Sequence, residues 1–331
     1  MKPATIYDVA RRAGVSHQTV TRFLRGSSAV REETGKRVEQ ALRELDYRPN
    51  SAARMLRSQQ TNRIGVLADR IDANGPVRIL NSLSSTAHEH GYVLDFAVTD
   101  GTSPGSVSSS LAMLVDHQVA GILATANTDV VLDEISTQDL RVPLVLGTAV
   151  AAETGRRSGE FAGALAADHL LELGHRRVGF VAGPEIWLAS QDRSRGFRER
   201  ILAGGGEVVW QRYGDWTPGS GFDAWRSLDT SERDVTGICA ANDSMAFGVI
   251  AAATDAGVVV PDDLSVIGID DVAEARYLRP SLTTVTLDFE GEGRSLMEAL
   301  IARIEGGEEA QASAWSVPAL VRRDSTAPVH R

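Results

Sequence analysis

Residues 5–26 read TIYDVARRAGVSHQTVTRFLRG. Thr5 and Asp8 stand at capping-box spacing, and Ile6, Val9 and Ala10 fall on one side of the helix they open. Gly14 permits a tight turn, after which Ser16 is placed as the N-cap of a second short helix. At about 100° per residue, His17, Gln18, Thr21 and Arg22 share an arc of roughly 140°, while Val20, Phe23 and Leu24 take the opposite arc. Most polar helix faces are only solvated. This one carries an amide suited to adenine or phosphate (Gln18), a guanidinium suited to guanine (Arg22) and a histidine, with no acidic residue between them. Two amphipathic helices joined through a glycine turn form a helix-turn-helix, whose second helix enters the DNA major groove.

The charge distribution agrees with that reading. The net charge of −10 is unevenly spread: residues 1–60 hold 12 Lys and Arg against 6 Asp and Glu, and the other 271 hold 22 against 38. A basic head suits phosphate neutralisation, and an acidic body keeps the remaining surface off the duplex. With 331 residues, two or three domains are expected. Cys239, the one cysteine, sits in the apolar run GICAAND, which points to a buried spectator and excludes an internal disulfide. MKPATIYDVA lacks the apolar core of a signal peptide and no apolar run is long enough to span a bilayer, so a cytoplasmic protein is expected.

Further along, REETGKRVEQALRELDY (31–47) gives a third helix with Val38, Ala41, Leu42 and Leu45 on one stripe. Gly35 inside it is an oddity, costing about 1 kcal/mol relative to alanine. YRPN ends the helix at its proline, and SAARMLRSQQ (51–60) is long enough only for a helix that is marginal alone. From NRIGVLAD onward, eight apolar strand segments alternate with helical ones: RIGVLA, YVLDFAV, AGILAT, VPLVLG, RRVGFVAG, TGICAAN, LSVIGID and LTTVTL. The expected architecture is an N-terminal all-α helix-turn-helix head (1–49), a linker (50–60) and an α/β body (61–331). The body's parallel sheets, flanked by helices, form two lobes divided near VPLVLG. Ligands in such sheets lie beyond the carboxyl ends of the strands, which here carry Asp69, Asn242 with Asp243, and Asp270 with Asp271.

TIYDVARRAGVSHQTVTRFL and YRPNSAARMLRSQQTNRIGVL closely resemble the N-terminus of the lac repressor family of bacterial regulators (LacI/GalR). The resemblance continues through DHLLELGHRRVGFVAGP, ANDSMAFGVIAAATDAGVVVPDDLSVIGIDD and SLTTV, covering residues 4 to about 323. It implies a dimeric transcription factor whose residues 17–24 lie in the major groove. His17, Gln18 and Arg22 would meet base edges, and Thr5, Ser16, Thr19, Thr21 and Asn50 mostly phosphates. Residues 50–58 resemble the family's hinge helix, with Ala53 at its contact face and Leu56 as the leucine pushed between base pairs from the minor groove.

The body resembles the periplasmic sugar-binding fold. The resemblance assigns Arg193, Asn242 and Asp270 to polar contacts with an effector, Trp216 and Phe289 to aromatic platforms, and Pro76, Ile79 and Trp187 to the remaining wall. It departs from the family pattern at Gly101, where an arginine is expected, and at Gly147, where an aspartate is. In the head, His17 stands for a tyrosine and Arg25 for an asparagine. No terminal leucine-heptad helix follows VPALVRRDST, so a homodimer is expected rather than a tetramer. The function implied is repression of sugar-utilisation genes by operator binding, with release by a small sugar such as a galactoside. The alternative is a purine-type or catabolite-type regulator whose ligand or partner strengthens DNA binding. Neither cofactor, metal nor membrane is expected, and no enzyme: the seven histidines are scattered, His169 and His175 are spaced unlike a helical metal pair, and no phosphate loop follows a strand.

Overall fold

Two units divide the chain, Met1–Thr61 and Asn62–Arg331. The computed structural model describes residues 4–24, 30–45, 47, 61–69, 73–125, 127–147, 157–307 and 316–329. Asn50, Ala53 and Leu56, with the rest of the expected hinge helix, and Arg25 lie outside the described residues.

In the first unit, α1 (Ile6–Ala13), α2 (His17–Leu24) and α3 (Glu32–Glu44) pack around Val9, Ala10, Ala13, Val20, Val38 and Ala41. The capping box forms: Thr5 N donates to Asp8 Oδ2 at 2.9 Å and Asp8 N to Thr5 Oγ1 at 3.4 Å. Gly14 ends α1 at φ 65°, the left-handed turn that favours glycine. Ser16 caps α2, accepting from Thr19 N at 3.1 Å. Phe23 packs against this core, but Leu24, expected beside it, is exposed at the last position of α2. Gly35 in α3 has a packing reason, since a Cβ there would stand 3.2 Å from Phe23 Cε2.

The second unit holds two sheets. The first, ordered β2-β1-β3-β4, is parallel throughout: β1 (Arg63–Ala68), β2 (Val93–Val98), β3 (Gly121–Thr125) and β4 (Leu144–Leu146). Its helices are α4 (Asn74–Glu89), α5 (Pro104–Asp116) and α6 (Asp129–Ser136). The chain then crosses to a second sheet ordered β10-β9-β8-β7-β5-β6, with β5 (Arg177–Ala182), β6 (Glu207–Tyr213), β7 (Gly237–Ala240), β8 (Ser265–Asp270), β9 (Thr283–Thr286) and β10 (Ala319–Val321). Only β10 in this sheet is antiparallel. The helices here are α7 (Ser158–Glu172), α8 (Leu188–Ala203), α9 (Pro218–Arg226) and α10 (Asp243–Asp255).

Ten strands therefore stand where eight were expected among the described residues. β6 and β10 lie at the two edges of the second sheet, and β6, EVVWQRY, fully buries only Trp210. Without both faces covered, an edge strand lacks the continuous apolar run that marks a central parallel strand. After β9, α11 (Phe289–Ile304) returns to the first lobe, where Leu296, Met297, Leu300 and Ile301 share a core with Ile64, Val66, Leu83 and Leu123. Its first turn therefore lies at the seam of the lobes.

Candidate functional site

On α2, Gln18 and Arg22 are exposed and their side chains make no hydrogen bond among the described residues, while His17, Thr19 and Thr21 are half-buried. The hydroxyls of this region are engaged locally. Thr5 Oγ1 donates to Asp8 Oδ2 at 2.6 Å, Ser16 Oγ and Thr19 Oγ1 lie 2.9 Å apart, and Thr21 Oγ1 donates to the His17 carbonyl at 2.9 Å. Tyr7, which the sequence reading passed over, lies 58% exposed with its ring 5.2 Å from that of His17. The exposed polar face of α2 thus offers an amide and a guanidinium beside an aromatic pair.

In the body, Pro76, Ile79, Trp187, Arg193, Trp216, Asn242, Asp270 and Phe289 all line one cavity of about 130 Å³ between the lobes. Its size compares with that of an apolar cavity of about 150 Å³ that admits one benzene ring.

Arg193 is the centre of the site. The helix that carries it, α8, crosses α7 at a glycine contact: a Cβ on Gly163 would stand 2.1 Å from the Arg193 carbonyl oxygen. Nη2 of Arg193 lies 3.0 Å from Asp270 Oδ1, both side chains being buried, and Nη1 donates to the Ala241 carbonyl. The guanidinium also stands 5.6 Å from the centroid of the Trp216 ring. The Arg193–Asp270 pair is close but does not have hydrogen-bond alignment, so Asp270 Oδ1 joins Arg193 Nε and Trp216 Nε1 as buried atoms without a hydrogen-bond partner. Two buried donors without a hydrogen-bond partner at one cavity, Arg193 Nε and Trp216 Nε1, are costly unless a ligand or water meets them.

Backbone strain gathers here too. Trp216 (φ 73°) and Asp270 (φ 117°), with Asp271 beside it (φ 51°), have positive φ although none is glycine. The Trp216 ring lies against Gly183, where a Cβ would come within 2.2 Å of it, and 5.9 Å from the Trp187 ring. Asn242 is the N-cap of α10: its Oδ1 accepts from Met245 N at 2.9 Å and its Nδ2 donates to the Trp216 carbonyl at 3.0 Å. Its side chain therefore braces the tryptophan as well as facing the cavity. Burial pushes the Asp270 carboxyl up, against the opposing pull of Arg193.

The other strand-end acids do not line the cavity. Asp243 is fully buried, accepting from Thr284 Oγ1 at 2.5 Å and Val272 N at 2.9 Å, which makes it a structural brace. Asp271 pairs with Arg323 at 2.5 Å, and Asp69 accepts from Asn127. Gly147 is on the wall, whereas Gly101 lies against Asp69 instead. His169 and His175 are buried near the C-terminal segment, bonded to Thr326 Oγ1 at 2.9 Å and to the Ala327 carbonyl at 3.0 Å. Cys239 is buried within the second core, where burial pushes its thiol up. Among the described residues no group of three or more His, Cys, Asp or Glu could hold a metal ion, and no helix is long and apolar enough to cross a membrane.

Residues 5–50 match the model described as bacterial regulatory proteins, lacI family, and residues 167–326 that of the periplasmic binding protein-like domain. The HTH-type transcriptional repressor PurR of Edwardsiella ictaluri is 33% identical, over 98% of this chain and 97% of that one. The chain belongs to the LacI family of bacterial transcriptional repressors. The lactose operon repressor of Escherichia coli is 28% identical over 98% of this chain and 91% of its own. Among solved structures, the lac repressor dimer bound to operator and the anti-inducer ONPF superposes with a TM-score of 0.86 at 28% identity, covering 98% of this chain and 100% of that one. The complex of the transcriptional regulator CelR with cellobiose gives 0.68 at 28% identity, covering 97% and 99%. A LacI-family repressor joins a DNA-binding domain to a ligand-binding domain, and these relatives are regulators rather than enzymes.

Beside the residues expected for a LacI-family ligand domain, the cavity wall includes Asn127, Arg157, Asp192 and Glu292. For Glu292 a signal was available in the sequence: it follows Phe289 by three residues, so on α11 the two share a face. Asp192 and Arg157 lie on different helices or their caps, Nη1 of Arg157 standing 3.6 Å from Asp192 Oδ2, and only the fold joins them.

Proposed function

We propose that this LacI-family repressor binds a pseudo-palindromic operator as a homodimer and is released from it by a small saccharide. The observation that carries the reading is the cavity around Arg193. Aromatic faces of Trp187, Trp216 and Phe289 stand beside two donors without a hydrogen-bond partner (Arg193 Nε, Trp216 Nε1) and an acceptor, Asp270 Oδ1, ion-paired with Arg193 but without a hydrogen bond. A sugar offers an apolar ring face for the aromatics and hydroxyls that both donate and accept. A cellobiose-bound relative of the same fold supports the ligand class.

In the operator complex, Gln18 and Arg22 read base edges with His17 beside them, and Thr5, Ser16, Thr19 and Thr21 position the head on phosphates. Asn50, Ala53 and Leu56 complete the contact from the linker. The exposed apolar residues Val93, Phe96 and Val98 on the edge strand β2 support self-association, as does the dimeric lac repressor relative. The site of action is the cytoplasm. Saccharide binding shifts the two lobes toward an arrangement that disfavours the paired linkers, and by linkage operator and saccharide weaken each other by the same factor.

A corepressor function is the second reading, favoured by the higher identity to relatives named PurR. Operator affinity measured with and without a panel of galactosides, glucosides and short oligosaccharides separates the two. A fall in affinity is expected. A rise with a bound ligand supports the corepressor reading, and an absence of saccharide binding removes the saccharide reading.

A further inference from the structure

Taking the cavity as a saccharide site, we propose that Glu292 makes it selective for a sugar carrying a basic nitrogen, an amino or imino sugar whose cationic nitrogen pairs with the Glu292 carboxylate.

The charges on the wall lead to this assignment. Three carboxyl groups, Asp192, Asp270 and Glu292, line the cavity together with two guanidinium groups, Arg157 and Arg193. Arg193 is committed to Asp270 at 3.0 Å. Arg157 stands 3.6 Å from Asp192, which Arg195 also grips from the same helix. The Glu292 side chain is left with no ion pair and no hydrogen bond among the described residues, its main-chain N donating to the Asp288 carbonyl at 2.9 Å. It sits on α11 one turn after Phe289, whose ring is held against Gly75 of the first lobe, where a Cβ would stand 2.9 Å from it. The carboxyl group and the aromatic platform therefore share one helix face at the cavity.

The groups that act on Glu292 are Arg193 from α8 and Asp288 from the start of its own helix. Arg193 favours the carboxylate but is already compensated by Asp270, while Asp288 disfavours it. Burial raises its proton affinity, taking the group to about pKa 7. Once ionised, a half-buried carboxyl without an ion pair gains most from a partner of opposite charge. A sugar hydroxyl donates a hydrogen bond yet leaves the negative charge in place. An ammonium both donates and neutralises, giving a cationic partner to the wall carboxyl that lacks one, as Asp192 and Asp270 already have theirs. Arg193 Nε and Trp216 Nε1 remain for the hydroxyls, so the nitrogen adds to the polyol contacts instead of replacing them.

Calorimetry on the full chain at neutral pH compares galactose and glucose with galactosamine, glucosamine, their N-acetyl derivatives and the ring-nitrogen analogue 1-deoxynojirimycin. At least one amine should bind about tenfold or more tightly than its neutral parent, with the advantage lost on N-acetylation. In Glu292→Gln the ratio of amine to parent should fall to about 1, because the amide keeps the shape but not the charge. Amines no tighter than their parents, or a preference that persists in Glu292→Gln, would overturn the assignment while leaving the saccharide site standing. If no saccharide binds, charged or neutral, the saccharide reading fails and this assignment with it. The wild-type comparison of parent, amine and N-acetyl sugar decides the matter even if the variant does not fold.

Discussion

Arg78 reaches from α4 in the first lobe and donates through Nη1 to the main-chain carbonyl of Asp270, the last residue of β8 in the second lobe, at 3.1 Å. The same guanidinium grips Glu290 in a bidentate pair, from Nε and Nη2 at 2.8 Å each, and stands 5.0 Å from the centroid of the Phe289 ring. One side chain thus connects the first lobe to the acid that holds Arg193 and to the aromatic residue on the opposite wall. Elsewhere along the seam, Leu188 N donates to the Asn127 carbonyl at 2.8 Å, so the lobes are clasped at more than one point.

A substitution that removes the first clasp should loosen the link between the cavity and the lobe arrangement. For Arg78→Met, the factor by which a bound ligand changes operator affinity should shrink by about fivefold, or roughly 1 kcal/mol of coupling. The magnitude is kept small because Glu290 is half exposed and its pair with Arg78 is screened. Arg78→Lys should not restore the coupling, since an ammonium cannot hold Glu290 and the Asp270 carbonyl in a planar fork. Operator titrations with and without saturating ligand check this, and an unchanged ratio in Arg78→Met would show that the clasp is not part of the response.

Arg193 contributes to stability as well as to the site. Arg193→Ala leaves Asp270 buried with its compensating charge gone, which should cost about 3 to 5 kcal/mol. Combining Arg193→Met with Asp270→Asn removes both charges, so most of that loss should be recovered while ligand binding stays absent. Thermal or denaturant unfolding of the single and double variants, run beside calorimetry, separates the two roles. If the double variant is no more stable than Arg193→Ala, the buried pair is not the cause.

Much of this architecture was legible in the sequence because both faces of the central strands are buried. RIGVLA, TGICAAN and LSVIGID are apolar on every side and announce parallel strands. The edges were not: β6 carries Gln211 and Arg212 in its middle, and β10 is three residues long. In the site, the eight wall residues came from a resemblance, and the fold brings all of them to one cavity. Glu292 escaped because a glutamate in an amphipathic helix usually marks the solvent face. Only the return of α11 across the lobe seam turns that position inward. Asp243 and Asp271, which the sequence puts at strand ends beside wall residues, stay off the wall. They adjoin true wall residues in sequence, but Asp243 opens α10 turned toward Val272 and Thr284, and Asp271, just past β8, turns to Arg323.

On the head, residues with free polar ends should behave differently from those that hold the fold. Gln18→Ala and Arg22→Ala should each weaken operator binding by about 1 to 3 kcal/mol and relax preference at one position per half-site. Ser16→Ala removes the oxygen that Thr19 N donates to, so it should lower the head's stability by about 0.5 to 2 kcal/mol. Binding to a set of operators with single base changes, together with thermal melting, distinguishes them. A uniform loss across all sequences for Gln18→Ala would place that residue on the phosphates.

Two titratable groups should give the body opposite pH responses. His169 is pulled from its ordinary 6.5 down to about 4, chiefly by burial and then by Arg322, with Nδ1 buried and unpartnered. The unfolded chain therefore takes up the proton first: stability is complete above about pH 6.5 and is lost as the pH falls through 4, by up to about 3 kcal/mol. Glu292 is pushed from 4.5 up to about 7, chiefly by burial and despite Arg193. Here the unfolded chain releases its proton first, so stability is complete below about pH 4.5 and declines as the pH rises through 7, again by up to about 3 kcal/mol. Glu292→Gln does not ionise in either state and should escape that decline. Denaturant titrations of the ligand-free protein should show Glu292→Gln gaining on the parent between about pH 5 and pH 8, with no further gain above it. A constant difference across that range would mean that Glu292 titrates alike in the folded and unfolded chains, and that the cavity does not hold its proton.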